Sequence, residues 1–347
     1  MEHISWYNLK PEKTLNEKEI DNIFTKLSEY QKLEKTYYVD SYQENIVPVY
    51  KAEKIILTDR NLEEDVYQRF FNDVGACIIR GAFTEDIMEE YNTWSTKMLT
   101  ESKKDKNSRH PKQQGKFLIN DVIGRMSENN PNLLVKILNN PGLTKVMDIL
   151  LGFSKIGSCT GHWIEPGGDR QLSHVDYPVH IGSAPFWENS TYKFKKLTTR
   201  YQLNKMMPYF SVQALIATDA MDISNGSTEI VPCSHKIENL DLLIHNPKVY
   251  QKFEDKFMNV SLEKGDILFF NRGLCHRGGK NLSDNRRNSL IMQCVWLWGI
   301  GQEIIDYQNV IERLEKSEYF KSLTTHKKEQ LKLRLKHPYP IDVKNST

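Results

Sequence analysis

Gln171-Leu-Ser-His174-Val-Asp176-Tyr-Pro178 is the stretch on which the organisation of this chain depends. His174 and Asp176 stand two apart, so on an extended strand both side chains project from one face. A second stretch, Asp266-Ile-Leu-Phe-Phe-Asn-Arg-Gly-Leu-Cys-His276, carries another histidine after an apolar run and a bend. If a sheet folds back to join them, two imidazoles and one carboxylate lie on one side of a metal and leave its other positions open.

Two further blocks accompany these stretches. One is Asn225-Gly-Ser-Thr-Glu-Ile-Val-Pro-Cys-Ser-His-Lys236, and the other runs from Gly265-Asp266 through His276 to Arg287. In this order and spacing the sequence, from about Leu57 to Trp298, resembles the phytanoyl-CoA dioxygenase family of Fe(II)- and 2-oxoglutarate-dependent oxygenases. Cys233 departs from the family pattern, which usually has glycine between the proline and the serine.

The resemblance implies a role for each candidate ligand. His174, Asp176 and His276 would bind Fe(II), and the open positions would accept 2-oxoglutarate and O2 as co-substrates. The distal carboxylate of 2-oxoglutarate calls for a buried cation, and the planar guanidinium of arginine matches a carboxylate better than ammonium does. Arg286 and Arg287 are neighbours, so on a strand only one of them can face the site. In the family the arginine falls eleven residues after the second histidine, which selects Arg287 and leaves Arg286 as the alternative.

Other candidates have weaker support. The resemblance places His162 and Gln213 where side chains line the co-substrate site, although each could equally be a satisfied polar group of the core. Gly278 stands where some relatives have a serine that bonds 2-oxoglutarate. Tyr177 and Trp187 belong to a long aromatic and basic insertion after the ligand stretch, and they are candidates for the substrate pocket or for packing beneath that loop.

The implied activity is hydroxylation, or desaturation, at a C–H bond of a small organic molecule, with 2-oxoglutarate converted to succinate and CO2. Halogenating relatives have alanine or glycine at the aspartate position, so Asp176 predicts that the chain does not chlorinate. One alternative is a catalytically silent jelly-roll binding or scaffold protein, and a weaker one is a cupin-like protein that binds another metal. The sequence does not choose the substrate.

Composition limits the class of protein. The chain has 347 residues, of which 39% are hydrophobic and 10% aromatic, enough for a sizeable core and too many for a disordered chain. The net charge of +2 calls for neither nucleic acid nor an anionic membrane as partner. We expect a cytoplasmic protein, because a signal peptide and a long apolar segment are lacking and the five scattered cysteines fit free thiols. The oligomeric state stays open.

The chain divides into three predicted parts: an N-terminal helical extension over 1–56, a dioxygenase domain over 57–300 and a basic helical extension over 301–347. In the first, Thr14 and Glu17 suggest a capping box before a helix over 16–31. Residues 103–116 form a polar, basic stretch that predicts a surface loop or a lid. Short strands separated by turns then predict a mainly β fold, a double-stranded β-helix or jelly roll with helices outside. The predicted strands cover 156–164, the ligand stretch, 209–218, 227–231, 266–271 and 288–298.

Overall fold

The computed structural model describes residues 16–38, 47–57, 60–102, 114–176, 211–237, 240, 244, 247–296 and 307–335. Its strands are β1 (Val49–Lys51), β2 (Ala76–Arg80), β3 (Lys116–Ile119), β4 (Ser154–Ile164), β5 (Ser211–Ile216), β6 (Thr228–Ile230), β7 (Met258–Asn259), β8 (Ile267–Asn271), β9 (His276–Gly278) and β10 (Arg287–Trp296).

The α-helices are α1 (Glu17–Tyr38), α2 (Ala52–Ile56), α3 (Arg60–Gln68), α4 (Glu85–Ser102), α5 (Val122–Asn129), α6 (Pro131–Leu138), α7 (Pro141–Leu151), α8 (Pro247–Glu254), α9 (Tyr307–Glu315), α10 (Glu318–Ser322) and α11 (Thr325–Leu335). A π-helical turn, Arg69–Asp73, follows α3, and a 3-10 turn, Ser234–Lys236, follows β6. None of the helices described combines the length and apolar character needed to cross a lipid bilayer.

Two sheets face each other and form the centre of the fold. The major sheet has the strand order β1-β2-β8-β5-β10-β4-β3, and the minor sheet has the order β7-β6-β9. Every pairing is antiparallel except that of β1 with β2. Ile78, Leu268 and Phe270 of the major sheet share one buried cluster with Ile230 of the minor sheet. This is the predicted jelly-roll architecture with flanking helices.

Alternation along β10 gives the major sheet two different faces. Leu290, Met292 and Cys294 belong to the large core beneath the helices. Arg287 and its inward-facing neighbours on the same strand line a cavity between the sheets. Because successive side chains point to opposite faces, one strand serves both the core and the cavity.

The N-terminal helix packs outside the minor sheet. Ile20, Phe24 and Leu27 of α1 share a buried cluster with Phe253 of α8, and the rings of Phe24 and Phe253 lie 4.9 Å apart. These residues recur at helical spacing, so one face of α1 is apolar and is buried against the sheet.

The cap of α1 differs from the predicted one. The Asn16 side chain accepts from Glu19 N at 3.0 Å, and the Glu19 carboxylate accepts from Asn16 N at 3.0 Å. This is a capping box shifted two residues from the predicted pair, and Thr14 lies outside the described residues. Asparagine is as good an N-cap as threonine, so the local sequence alone did not decide between them.

Two segments are more regular than their sequence suggests. The segment containing Val47 and Tyr50 has no clear period in its sequence, but it includes β1, which pairs in parallel with β2 at the edge of the major sheet. Lys116, the last residue of the predicted loop or lid, begins β3 and pairs with Ile164. Residues 103–113 lie outside the described part of the chain.

The C-terminal helices pack against the helical side of the molecule. The guanidinium of Arg334 on α11 donates to both carboxylate oxygens of Asp148 at 2.8 and 2.9 Å and to Ser154 Oγ at 3.2 Å. The hydroxyl of Tyr307 on α9 donates to the carbonyl of Ile156 on β4 at 2.8 Å. This basic segment is therefore joined to α7 and β4 by buried polar contacts.

Gly265 and Asp266, just before β8, contact the chain that follows the neighbouring strand β2. Gly265 has φ +91°, and a Cβ there would lie 2.2 Å from the carbonyl oxygen of Phe83, so only glycine fits. The buried Asp266 carboxylate accepts from Gly81 N at 2.9 Å and from Glu263 N at 2.8 Å. The Gly-Asp pair is therefore a structural joint between β8 and the end of β2.

Cys233 occupies a left-handed position, with φ 65°. Glycine adopts this conformation without steric cost, which explains why the family usually has glycine here. The next residue, Ser234, accepts a hydrogen bond from Cys275 N at 2.8 Å, and His235 Nε2 bonds the carbonyl of Phe71 at 3.0 Å. The turn thus attaches the start of β9 to the rest of the fold.

A buried ion-pair network stabilises β9 and β6. Arg277 Nε donates to Glu229, and Arg277 NH1 donates to both oxygens of Glu254 at 2.8 Å. The Arg277 guanidinium also stacks 3.8 Å from the centroid of Phe257. Burial opposes the charge of Arg277, but its bonds to Glu254 and Glu229 prevail and raise its pKa.

We predict that Glu229→Ala lowers the free energy of unfolding by about 3 kcal/mol, since removing one member of a buried pair leaves the other charge incompletely compensated. The control is Glu318→Ala, which removes the exposed partner of Lys321 on α10. Exposed ion pairs contribute little to the free energy of unfolding, so the control should have the same midpoint as the unmodified chain in urea denaturation. Equal midpoints for both variants would contradict the prediction.

Candidate active site

The two histidines come together through backbone pairing. His174 N donates to the carbonyl of His276 at 3.0 Å, and His276 N donates to the carbonyl of His174 at 3.0 Å. Asp176 N donates to the carbonyl of Arg272 at 2.8 Å. The ligand stretch was predicted as a strand, but it is an extended segment joined to β9 by an isolated bridge.

Three donor atoms converge on one point of the cavity. Asp176 Oδ1 lies 3.8 Å from Nε2 of His174 and 3.8 Å from Nε2 of His276. All three donor atoms lie within 4.8 Å of one another. Among the described residues, this is the one group of three or more histidine, cysteine or acidic side chains that could hold a metal ion.

The other ring nitrogen of each histidine fixes its tautomer. Nδ1 of His174 lies 2.9 Å from the carbonyl of Leu172, and Nδ1 of His276 lies 2.9 Å from the carbonyl of Leu274. A carbonyl only accepts, so Nδ1 carries the proton and donates it. Each Nε2 is left with a lone pair directed at the cavity, as metal ligation requires.

The protonation states also suit a cation. Burial, with the nearby charge of His276, lowers the pKa of His174 to about 4. Burial opposes ionisation of Asp176, but the charges of His276, Arg272 and His174 and the hydrogen bond from Gln213 together lower its pKa to about 2. At neutral pH, His174 is therefore neutral and Asp176 is ionised, so neither must lose a proton to bind metal. This donor set fits Fe(II).

The ligands open into a cavity of about 440 Å³ between the two sheets. The ring of Phe270 lies 4.8 Å from that of His276 and forms part of the wall. Other lining residues are Lys116, Leu118, Asn120, Ser158, Thr160, His162, Gln171, Gln213, Leu215, Thr228, Arg277, Gly278, Arg287, Ser289 and Ile291.

Arg287 is a buried guanidinium that lines this cavity. It donates to the carbonyl of Gly226 at 2.7 Å and to Ser289 Oγ at 3.1 Å. Burial lowers its pKa to about 10, which leaves it charged at neutral pH, and Asp219 opposes the shift. No carboxylate of the described residues forms an ion pair with it, and its Nε has no hydrogen-bond partner. A buried guanidinium that is charged and has no carboxylate partner among these residues can bind the carboxylate of a ligand.

Arg286 immediately precedes β10, and its side chain does not line the cavity. Its guanidinium stacks 4.6 Å from the centroid of the Trp163 ring, outside the cavity, and the side chain is exposed. The structure therefore places the two neighbouring arginines on different sides of the sheet, as strand periodicity predicts.

Lys116 is a cavity residue that sequence reasoning missed. It is 4% exposed and shares a row of the sheet with Arg287, because both pair with Ile164 from opposite sides. Burial, assisted by Arg287 and opposed by Asp176, lowers its pKa to about 7. The apolar run Phe117-Leu-Ile119 after Lys116 was the available signal for a strand, but the basic run before it suggested a loop.

The remaining candidates divide into three groups. His162 and Gln213 line the cavity, and Gln213 Nε2 donates to Asp176 Oδ2 at 2.9 Å. Gly278 also lines the cavity, and its N–H donates to the side chain of Gln171 at 3.1 Å. Tyr177 and Trp187 lie outside the described residues.

Comparison with known sequences identifies a family. The model of the phytanoyl-CoA dioxygenase family matches residues 71–289. A curated relative, dioxygenase lolE1 of Epichloe uncinata, is 29% identical over 126 residues, which cover 36% of this chain and 40% of the relative. The match therefore spans less than half the length of that relative.

Solved structures with the same fold include SnoK and HygX. SnoK, a non-haem alpha-ketoglutarate-dependent carbocyclase from nogalamycin biosynthesis, aligns with a TM-score of 0.52 at 16% identity, over 76% of this chain and 93% of SnoK. HygX from Streptomyces hygroscopicus, crystallised with nickel and 2-oxoglutarate, aligns with a TM-score of 0.50 at 14% identity, over 72% of this chain and 91% of HygX. At these identities the likeness is one of fold, and it agrees with the predicted jelly roll.

We predict that the chain binds one divalent metal ion, and that His174→Ala, Asp176→Ala and His276→Ala each abolish or strongly weaken that binding, because each removes one of three donors. The measurement is anaerobic titration with Fe(II) or Co(II) against a competing chelator. His326→Ala, exposed on α11, is the matched histidine control and should bind like the unmodified chain. Unchanged affinity in all three ligand variants would exclude this site.

Proposed function

This chain belongs to the phytanoyl-CoA dioxygenase family, and we propose that it is an Fe(II)- and 2-oxoglutarate-dependent oxygenase. It hydroxylates or desaturates a C–H bond of a small organic molecule and converts 2-oxoglutarate to succinate and CO2. For hydroxylation, one oxygen atom of O2 enters succinate and the other enters the product, so atoms and electrons balance.

One arrangement carries the proposal. Three donors with free lone pairs lie at one point of the cavity, and a buried arginine without a carboxylate partner among the described residues lines the same cavity. A ligand with a metal-chelating end and a distal carboxylate satisfies both features. 2-Oxoglutarate has these two ends.

The three donors would hold a metal ion and leave part of its surroundings open to the cavity. His174, Asp176 and His276 would occupy three positions of Fe(II), which when bound supplies the redox chemistry that couples O2 to oxidation of the co-substrate and substrate. The hydrogen bonds from Nδ1 to Leu172 and Leu274 keep both rings oriented without taking up the ligating nitrogens.

Arg287 and Lys116 bind the distal carboxylate of 2-oxoglutarate. Arg287 provides the planar donor pair, and its bonds to Gly226 and Ser289 hold the guanidinium in one orientation. Lys116, on the other side of Ile164, adds a second positive charge when protonated. Gly278 contributes no side chain, so the serine contact of some relatives is replaced here by Lys116 or by water.

The substrate occupies the remaining space beside the metal. His162 and Thr160 of β4 offer polar atoms, whereas Leu215 and Ile291 offer an apolar wall. A cavity of this size, lined by both polar and apolar groups, suits a small molecule that itself has polar and apolar parts. Tyr177 and Trp187 remain proposed substrate contacts, since they follow Asp176 in the chain.

Arg287→Ala should weaken 2-oxoglutarate binding by roughly two to three decades, because the loss of one partner of a buried charge pair costs about 3–5 kcal/mol. Arg286→Ala is the control, since that guanidinium stacks on Trp163 outside the cavity. The measurement is anaerobic titration of the metal-loaded protein with 2-oxoglutarate. If the Arg286 variant is the impaired one, the assignment of the carboxylate site is wrong.

Candidate small molecules can be screened for stimulation of succinate formation, and the product then analysed by mass spectrometry under labelled O2 with excess chloride. Because Asp176 fills the position that is vacant in halogenating relatives, the product should carry labelled hydroxyl or a new double bond, and no chlorine. A chlorinated product from the unmodified chain would show that Asp176 does not stay on the metal. Absence of both metal binding and succinate would instead support a silent scaffold protein.

A further inference from the structure

The two oxygens of the Asp176 carboxylate have different surroundings. Oδ2 accepts a hydrogen bond of 2.9 Å from the side-chain amide of Gln213. Oδ1 lies 3.8 Å from Nε2 of both His174 and His276. One oxygen is therefore engaged by the protein, and the other faces the imidazoles.

The backbone of Asp176 is held separately from its carboxylate. Its N–H donates to the carbonyl of Arg272 at 2.8 Å, and its own carbonyl accepts from the Arg272 guanidinium at 2.8 Å. These bonds fix the main chain, but they leave the rotation of the carboxylate about its last bond undetermined. For aspartate that torsion has a broad, roughly two-fold preference, so a hydrogen bond to one oxygen decides its orientation.

Gln213 is well placed to decide the orientation of the Asp176 carboxylate. It lies on β5, between β8 and β10 in the major sheet, and is 6% exposed. An ionised carboxylate can only accept, so the amide must present its NH2 group to Asp176. The amide oxygen then points away and has no hydrogen-bond partner among the residues that the structure describes. This buried, unsatisfied oxygen has an energetic cost, which the bond to Asp176 offsets.

We infer that Gln213 is a positioning residue of the metal site, whose amide holds Oδ2 of Asp176 so that Oδ1 alone is presented between the two imidazoles. The sequence suggested Gln213 as a lining residue for the co-substrate or as a satisfied polar group of the core. The inference rests on the proposed function, because it concerns the metal that the three ligands would bind. Gln213 acts through Asp176 and has no ligating role of its own.

The primary test is Gln213→Met, which keeps the length and apolar bulk of the side chain and removes its donor. Partners of metal ligands typically change metal affinity by about 10–100-fold when removed, so we expect a loss in that range for Fe(II) or Co(II). Gln293→Met is the matched control, because Gln293 stands directly opposite Gln213 on β10 and is also buried. Its amide oxygen accepts from Ser158.

A second readout separates positioning from general destabilisation. Both variants lose a buried amide, so both are expected to lower the thermal midpoint, but only Gln213→Met should alter the visible absorption spectrum of the Co(II)-loaded protein. Gln213→Asn, which retains the amide but is one methylene too short, provides the same comparison if the methionine variant does not fold. It should lose affinity in the same direction.

The outcomes are distinct. Weaker Co(II) binding and an altered spectrum in the Gln213 variants, with both unchanged in Gln293→Met, support the inference. Metal affinity and spectra equal to those of the unmodified chain in folded Gln213 variants overturn it and leave the proposed function intact. If the unmodified chain itself binds neither Fe(II) nor Co(II), the proposed function fails, and the positioning role fails with it.

Discussion

The reciprocal backbone hydrogen bonds between His174 and His276 are the interaction on which the site depends. They join the extended segment around His174 to β9, and they bring together two histidines that are distant in sequence. Because His174 and Asp176 lie two apart on extended chain, the same pairing carries the carboxylate to the imidazoles. The rest of the fold holds β9 in place so that this pairing can form.

The blocks that identify the family have separable physical tasks. Gly265 and Asp266 join β8 to the end of β2, where a side chain on the glycine would collide with Phe83. The turn after β6 attaches β9 through Ser234, and the ion pairs of Arg277 attach it to β6 and α8. None of these groups touches the metal donors, and all of them determine where His276 lies.

The major sheet separates the chemistry of its two faces. Its outer face is apolar and packs under the helices, while its inner face carries Arg287, Lys116 and Gln213 into the cavity. Cations in such a cavity are weakly hydrated, which increases their attraction for an anionic co-substrate. The sheet also provides a rigid support for the amide that contacts Asp176, whereas the residues that follow Asp176 lie outside the described structure.

Local patterns in the sequence determined much of the fold and of the candidate site. The spacing of two in His174 and Asp176 and the adjacency of Arg286 and Arg287 specify faces of extended chain, because the period of a strand is independent of its partners. Family motifs predicted the jelly roll and the three ligands. Lys116 and the contact between Gln213 and Asp176 emerged only from the tertiary structure, since the pattern of a strand does not tell which strand becomes its neighbour or what lies across the cavity.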